Sequence, residues 1–343
     1  MPLSPRRPPR WPLAAGLAAG VAADALFGDP RRAHPVAAFG RAATALEARD
    51  YADSRLRGAA HTACCVLAVA APAAFLHRRA RPWPPAEVAA VACAVWAVTG
   101  ARSLRHEAER TRVALQAHDL ASARDVLPSL CGRDPSGLDA GEIARAVIES
   151  VAENTSDAVV APLFWGAVAG MPGLAAYRAV NTLDAMVGYR SPRYLRFGWA
   201  SARLDDVANW IPARLTAALT IACAPLVPGA APLSALRVVR RDGASHPSPN
   251  AGRCEAAFAG ALGIRLGGTN VYGGVAEKRD ELGEGRAPEP GDIRRAILLS
   301  RAVTVSATAL AVLAALFTGG VYRRNRKPRA HTISAAMATH HSR

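Results

Sequence analysis

Glu149, Glu153 and Asp157 recur at intervals of four residues, with Asn154 beside them, so on a helix the three carboxylates share one face. Like charges at that spacing destabilise a helix by about 0.2–0.5 kcal/mol per pair. A divalent cation, or arginines from elsewhere, would reverse the sign. Hard oxygen ligands suit Mg²⁺, which keeps several waters and bridges to phosphate. A solvated acidic helix face is the competing reading, weakened by the apolar window that begins at Ala158. Beyond that window Asn181 and Asp184 share one helical turn, and Arg203, Asp205, Asp206, Asn209 and Arg214 follow. Acids for metal with arginines for phosphate or carboxylate are what phosphoryl-transfer sites combine, although a structural ion-pair network uses the same residues. Asp24, Asp29 and His34 supply a further acid–turn–histidine set, weak by itself.

The polar stretch 237–274 adds a second kind of chemistry. His246-Pro-Ser-Pro-Asn250-Ala-Gly252 presents His, Ser and Asn from a backbone stiffened twice by proline. Gly267-Gly268-Thr-Asn270-Val-Tyr272-Gly-Gly274 offers glycines whose amides can approach an anion closely. A turn-rich loop plus an unrelated helix is the bland alternative.

These residues need elements to hold them, and the composition points to a bilayer. Of 343 residues 51% are hydrophobic and only 6% aromatic, while 42 Lys+Arg against 27 Asp+Glu give a net charge of +15. Charge-free windows at 58–76, 158–177, 215–236 and 302–322 approach the roughly 20 residues of a spanning helix, and shorter ones lie near 11–27 and 86–101. The mean hydropathy of +0.09 is low because long polar segments dilute alanine-rich spans. Arginines cluster beside the windows, which marks cytoplasmic flanks and attraction to anionic lipid. Aromatic-interleaved basic surfaces and zinc-finger spacings are lacking, so nucleic acid is not an expected partner. The arginine-then-apolar N-terminus reads as a retained first span rather than a cleaved signal. The six cysteines form no CxxC pair and read as small buried residues.

The expectation is therefore an all-α, polytopic helical membrane protein with large cytoplasmic helical and loop segments. It would form one integral-membrane domain over 1–326 with a disordered basic tail, 327–343. A straight span over 158–177 would put Glu153 and Asn181 about 30 Å apart on opposite faces. Pro162, Gly166, Gly170, Pro172 and Gly173 instead predict a re-entrant hairpin, with both acidic groups on the cytoplasmic side.

Taken in order, the motifs resemble the adenosylcobinamide-phosphate synthase family of cobalamin biosynthesis. They are Asp24-Ala-Leu-Phe-Gly-Asp-Pro with His34-Pro-Val, Glu149-Ser-Val-Ala-Glu-Asn-Thr155, Ala161-Pro-Leu-Phe and Tyr177-Arg-Ala-Val-Asn-Thr-Leu-Asp-Ala-Met-Val-Gly-Tyr189. Phe197-Gly-Trp-Ala-Ser-Ala-Arg-Leu-Asp-Asp206, Asn209-Trp-Ile-Pro-Ala-Arg-Leu-Thr216, His246-Pro-Ser-Pro-Asn-Ala-Gly252 and Gly267-Gly-Thr-Asn-Val-Tyr272 complete the set. Asp157-Ala158 and Arg253-Cys254 depart from the family's usual Asp-Gly and Trp-Pro. The resemblance implies a multi-pass cell-membrane ligase that joins adenosylcobyric acid to aminopropanol phosphate, or a related amino alcohol, with ATP and Mg²⁺. It also implies association with other membrane enzymes of nucleotide-loop assembly. Under it Glu149, Glu153, Asp157 and Asp205 are metal candidates, and Arg203 and Arg214 phosphate candidates. Asp242 or His246 would act as base, with Asn250 also in the catalytic group. Asn154, Asn181, Asp184, Asp206, Asn209, Gly267, Gly268, Asn270 and Tyr272 would bind substrate or nucleotide. The chain lacks a GxxxxGK[ST] loop, so its ATP site would be unconventional. A non-catalytic sensor of the ampicillin-resistance regulatory type and a corrinoid transporter are the rival readings. The retained His-Pro-Ser-Pro-Asn and Arg-Leu-Asp-Asp motifs favour the enzyme over the sensor.

Overall fold

A computed structural model of the protein describes residues 11–29, 34–272 and 275–317, with the side chains of 271–276 outside that description. The tail at 327–343, Gly273, Gly274 and the Tyr272 side chain therefore lie outside the described residues. In chain order the helices are α1 (Trp11–Phe27), α2 (Pro35–Asp50), α3 (Arg55–Ala80), α4 (Pro84–Val98), α5 (Ala101–Gln116), α6 (Leu120–Val126), α7 (Ala140–Thr155) and α8 (Ala161–Val187). They continue as α9 (Tyr194–Phe197), α10 (Trp199–Ala208), α11 (Trp210–Cys223), α12 (Pro232–Asp242), α13 (Ala251–Leu262) and α14 (Pro290–Phe317).

Among the described residues four helical units are long and apolar enough to cross a membrane: α3, α4 with α5, α7 with α8, and α14. The pair α10–α11, bent by 42°, makes a fifth. Only 17% of the apolar stretch of α3 is covered by protein, so Leu67, Phe75 and Leu76 face outward. Apolar side chains left uncovered over a whole helix are stable in hydrocarbon and not in water. Between α1 and α4, Gly16 and Gly20 form a small-xxx-small seam: a Cβ on Gly20 would meet the Val95 Cβ at 2.4 Å.

The α7–α8 unit is 48 residues long, about 72 Å as a straight helix, more than twice the ~30 Å hydrocarbon core. It folds back. At Gly170 the backbone takes φ 67°, ψ −152°, a conformation that favours glycine. The His77 ring packs so closely there that a Cβ would lie 2.3 Å from it. Pro172 and Gly173 complete the turn, with Gly173 against the Trp165 carbonyl. The two limbs return Asn181 to Asp157, where Nδ2 donates to Oδ2 at 3.4 Å. The hairpin expected from the proline and glycine pattern is present, and its two acidic ends meet.

Three expectations need correction. The window 215–236 is not one span: α11 ends at Cys223, and Pro225, Pro228 and Gly229 (φ 69°) divert the chain before α12. Prolines lack the amide a continuous helix needs, and Gly229 adopts a left-handed conformation. The glycine-rich stretch expected to present its amides to an anion is, over Leu266–Tyr272, a strand, β1, paired antiparallel with β2 (Val275–Leu282) in the register Gly268↔Arg279 and Asn270↔Glu277. Of the cysteines, Cys64 and Cys93 are exposed on apolar helices rather than buried.

Candidate active site

Helix α7 starts where a capping box starts it. Asp139 Oδ1 accepts the Glu142 N–H at 2.8 Å, and Glu142 returns the bond to the Asp139 N–H at 2.9 Å. Ile143, Val147, Ile148 and Val151 are fully buried, which turns the Glu149–Glu153 face toward a cavity. Beyond Thr155 the helix widens into one π turn, Ser156–Val160, which aims Ser156 and Asp157 into the same space. Such turns insert a residue into a helix and recur at functional sites.

The cavity has a volume of about 900 Å³. It lies between α7, the returning limb of α8, α10, the turn 246–250, α13 and β2. Across it Asn181 bridges two carboxylates, donating to Asp157 Oδ2 at 3.4 Å and to Asp205 Oδ1 at 3.3 Å. Asn209 donates to Asp205 Oδ2 at 3.0 Å, and the Tyr177 hydroxyl donates to Asn209 Oδ1 at 2.9 Å. Two acids 48 positions apart in sequence are thus set by amides rather than by cations. Amide donors fix carboxylates while leaving their remaining lone pairs for a ligand. Glu153, Asp184, Asp206, Arg203 and His246 line the same cavity. So does Asn250 Oδ1, a buried acceptor with no hydrogen-bond partner among the described residues. Asn250 is held by its other end, Nδ2 donating to the Asp206 carbonyl at 2.8 Å. A buried acceptor facing a cavity suits a ligand's donor or a hydrated cation.

His246 is positioned by its own loop, its Nδ1 accepting the Ser248 N–H at 3.0 Å. Burial and the Arg279 guanidinium hold its pKa below the ordinary histidine value, so the ring is neutral at pH 7. Its Nε2 lies 3.2 Å from Arg279 Nη1 and 3.8 Å from Glu255 Oε1.

Sequence reasoning missed Glu255. It is 3% exposed and lines the cavity from the all-round buried helix α13. Burial, reinforced by the charges of Glu149 and Glu153, pushes its carboxyl well above the ordinary range. The signal was available: one acid in the otherwise apolar stretch Cys254–Leu262, directly after the His-Pro-Ser-Pro-Asn turn. Arg133, Arg190, Lys278 and Arg279 were missed too and supply positive charge at the cavity wall.

Several expected residues do other work. Glu149 is no open ligand: its Oε2 accepts from Arg133 at 2.5 Å and its Oε1 accepts the Gly267 N–H at 2.7 Å. That bond also consumes the amide that the phosphate reading of Gly267 required. Arg145 binds the carbonyls of Gly267 and Thr269 and the Asn270 side chain, so Gly267, Thr269 and Asn270 fasten β1 to α7, with Gly268 between them in the strand. Asp242 lies outside the cavity, where the Arg241 guanidinium holds its carboxyl below the usual range and it accepts the Gly283 N–H at 2.8 Å. A carboxylate so paired is a poor base. Arg214 stacks on Trp210, 4.0 Å from the ring centroid, and Asn154 donates back to the Ser150 carbonyl. Neither lines the cavity.

Among the described residues no three His, Cys, Asp or Glu side chains are grouped as a ready metal site. The hard-oxygen set of Glu153, Asp157 and Asp205 nevertheless fits Mg²⁺, which takes one or two carboxylates and completes its shell with water and substrate phosphate.

Fold and cavity define a class: a polytopic helical membrane protein whose charged cavity is built on a re-entrant hairpin. The CobD/Cbib protein family model matches residues 17–300, and the chain belongs to that family. It is 53% identical over 312 residues to the cobalamin biosynthesis protein CobD of Mycobacterium tuberculosis strain H37Rv, covering 91% of this chain and 96% of the relative. The protein of that name from Geobacter metallireducens is 46% identical over 273 residues, 78% of this chain and 86% of the relative. That of Rhodobacter capsulatus is 44% identical over 235 residues, 68% and 73% respectively. No solved structure matches the chain.

Proposed function

We propose that the protein acts in cobalamin biosynthesis as an ATP-dependent ligase, joining a carboxylate of adenosylcobyric acid to aminopropanol phosphate or a related amino alcohol. The observation that carries this reading is the meeting of Asp157, Asn181 and Asp205 in one cavity beside the open acceptor of Asn250.

An amine does not displace oxide from a carboxylate, so the acid must first be activated. Its oxygen attacks the γ-phosphorus of ATP and ADP leaves, giving an acyl phosphate. The amine nitrogen then attacks the acyl carbon, the C–O bond to phosphate breaks, and phosphate departs with that oxygen. The amine first gives up a proton, and Glu255 is the group suited to take it, because a carboxyl with a raised pKa lies closer to an ammonium than an ordinary one. His246, neutral, stands beside that carboxyl, its Nε2 3.8 Å from Glu255 Oε1. Arg203, Arg190, Lys278 and Arg279 would meet phosphate or corrinoid carboxylate charge. Mg²⁺, held by Asp157, Asp205 and Glu153, would neutralise nucleotide phosphates.

The test is direct. Full-length protein in lipid nanodiscs is given adenosylcobyric acid, aminopropanol phosphate, ATP and Mg²⁺, and the amide is followed by mass. Product dependent on all four sustains the proposal; none from folded protein sinks it.

A further inference from the structure

A second cavity of about 880 Å³ opens where the carboxyl end of α1, the start of α5 and the first half of α14 converge. Arg102, Arg105, Arg294 and Arg301 line it, with His106. The opposing charge is small. Asp24, 1% exposed, is fastened to the Arg102 N–H at 3.1 Å, and Glu109 is held bidentate by Arg112 at 2.6 and 2.8 Å. Arg102 is spent on the carbonyls ending α1, and Arg105 donates to Thr304 at 3.3 Å. Arg294 and Arg301 have no hydrogen-bond or ion-pair partner among the described residues. Residues outside the description cannot supply an acidic side chain, since 1–10, 30–33, 273–274 and 318–343 contain no Asp or Glu.

The cavity's depth in the bilayer follows from α14. Arg301 is the last charged residue of that helix; every residue from Ala302 to Phe317 is uncharged, and Val305 beside the cavity is 70% exposed. The arginines therefore stand at the boundary between water and hydrocarbon, where long basic side chains place their heads. Gathering four guanidinium groups there against only Asp24 and Glu109, the latter already paired with Arg112, is unfavourable unless an anion joins them, and guanidinium geometry matches phosphoryl oxygens.

We infer that this cavity binds a phosphate-bearing anion at the membrane surface, separately from the ligase cavity. Two sources share that chemistry, an anionic phospholipid headgroup and a soluble phosphate, and the inference does not depend on the ligation reading.

Full-length protein is placed in phosphatidylcholine nanodiscs, and the thermal transition is followed as phosphatidylglycerol replaces phosphatidylcholine or as pyrophosphate is titrated. Stabilisation by phosphatidylglycerol alone identifies a headgroup; stabilisation by pyrophosphate identifies a soluble ligand. Either response must weaken about tenfold or more in apparent affinity in the Arg294→Gln/Arg301→Gln variant, as expected for losing charge-assisted contacts. It must also weaken, but persist, in Arg294→Lys/Arg301→Lys, which keeps the charge and loses the fork geometry. The lysine variant keeps the test decisive if the glutamine variant does not fold. No stabilisation by either probe, or equal stabilisation of the variants, overturns the site.

Discussion

The two large cavities have nearly equal volume, about 900 and 880 Å³, and opposite character. The first is rich in acids drawn from segments scattered between Glu149 and Glu277, and its central carboxylates are held by asparagines. The second is lined by arginines at short helical spacings, Arg102 with Arg105 and Arg294 with Arg301. Helices α7 and α14 meet at the Thr155–Ser300 hydrogen bond, 2.7 Å, with α7 contributing to the first cavity and α14 to the second. Both sites are assembled from distant segments, but only the first uses the limb of α8 that the hairpin returns. The hairpin turn at Gly170 therefore matters to the first cavity and should leave the second untouched.

The sharpest way to break that contrast is to remove the acids. Asp157→Asn and Asp205→Asn should each lower amide formation by about a hundredfold or more while the protein stays folded, the usual scale for a group that meets charge in the transition state. Steady-state kinetics in nanodiscs would show it, and full activity in both variants would remove chemistry from the first cavity. Glu255→Gln should cost about a hundredfold in kcat, the lower range for a lost general base. It should also abolish the rise of rate with pH as that carboxyl ionises. Because the folded-state pKa of Glu255 is raised, ionisation opposes folding. Stability contributed by the neutral carboxyl is present below the unfolded value and lost as pH rises toward the folded one. The glutamine variant should lack that loss in a thermal-melt series.

Gly170→Ala tests the hairpin. The left-handed backbone and the His77 ring together predict a loss of about 1–3 kcal/mol. Single cysteines at positions 153 and 181 should react with an impermeant reagent from the same membrane face. Labelling from opposite faces would break the hairpin reading. For His246→Gln the sign runs the other way from Glu255. The depressed folded-state pKa of His246 makes the native protein lose stability as pH falls below about 6.5. The glutamine variant should show a flatter acid limb between pH 7 and 5.

Much of this was legible in the chain. The re-entrant turn followed from Pro162, Gly170, Pro172 and Gly173, because each removes a donor or admits a left-handed φ that a straight helix cannot use. The acids at 149, 153 and 157 were legible as one helical face, but their partners were not. Which of them is neutralised depends on Arg133 and Gly267, brought in by tertiary packing. The β hairpin was hidden because its glycines and charges lack the alternation that marks a strand. Glu255 was overlooked because a single acid in an apolar helix carries no periodic signal; its isolation among apolar residues was the one cue, and its burial gives that cue meaning.

The smallest expected effect separates two arginines that the sequence treats alike. Arg203 and Arg214 both flank the acids of α10 and the start of α11. Arg203 lines the first cavity and pairs with Asp206 at 3.1 Å, whereas Arg214 lies over the Trp210 ring and donates to the Trp210 carbonyl at 2.7 Å. Trp210 is 53% exposed on an apolar helix, which suits an aromatic at the membrane interface with a guanidinium above it. Arg214→Gln should therefore change kcat/KM by less than about threefold and cost roughly 0.5–1 kcal/mol of stability, the value of an exposed cation–π contact. Arg203→Gln should act oppositely, weakening substrate binding with little change in melting, because its side chain is largely solvent-facing and supports no packing. If Arg214→Gln instead raised KM for ATP or the corrinoid as strongly as Arg203→Gln, the boundary of the first cavity would have to be redrawn to include α11. The division of labour between chemistry on α10 and membrane anchoring on α11 would then be lost.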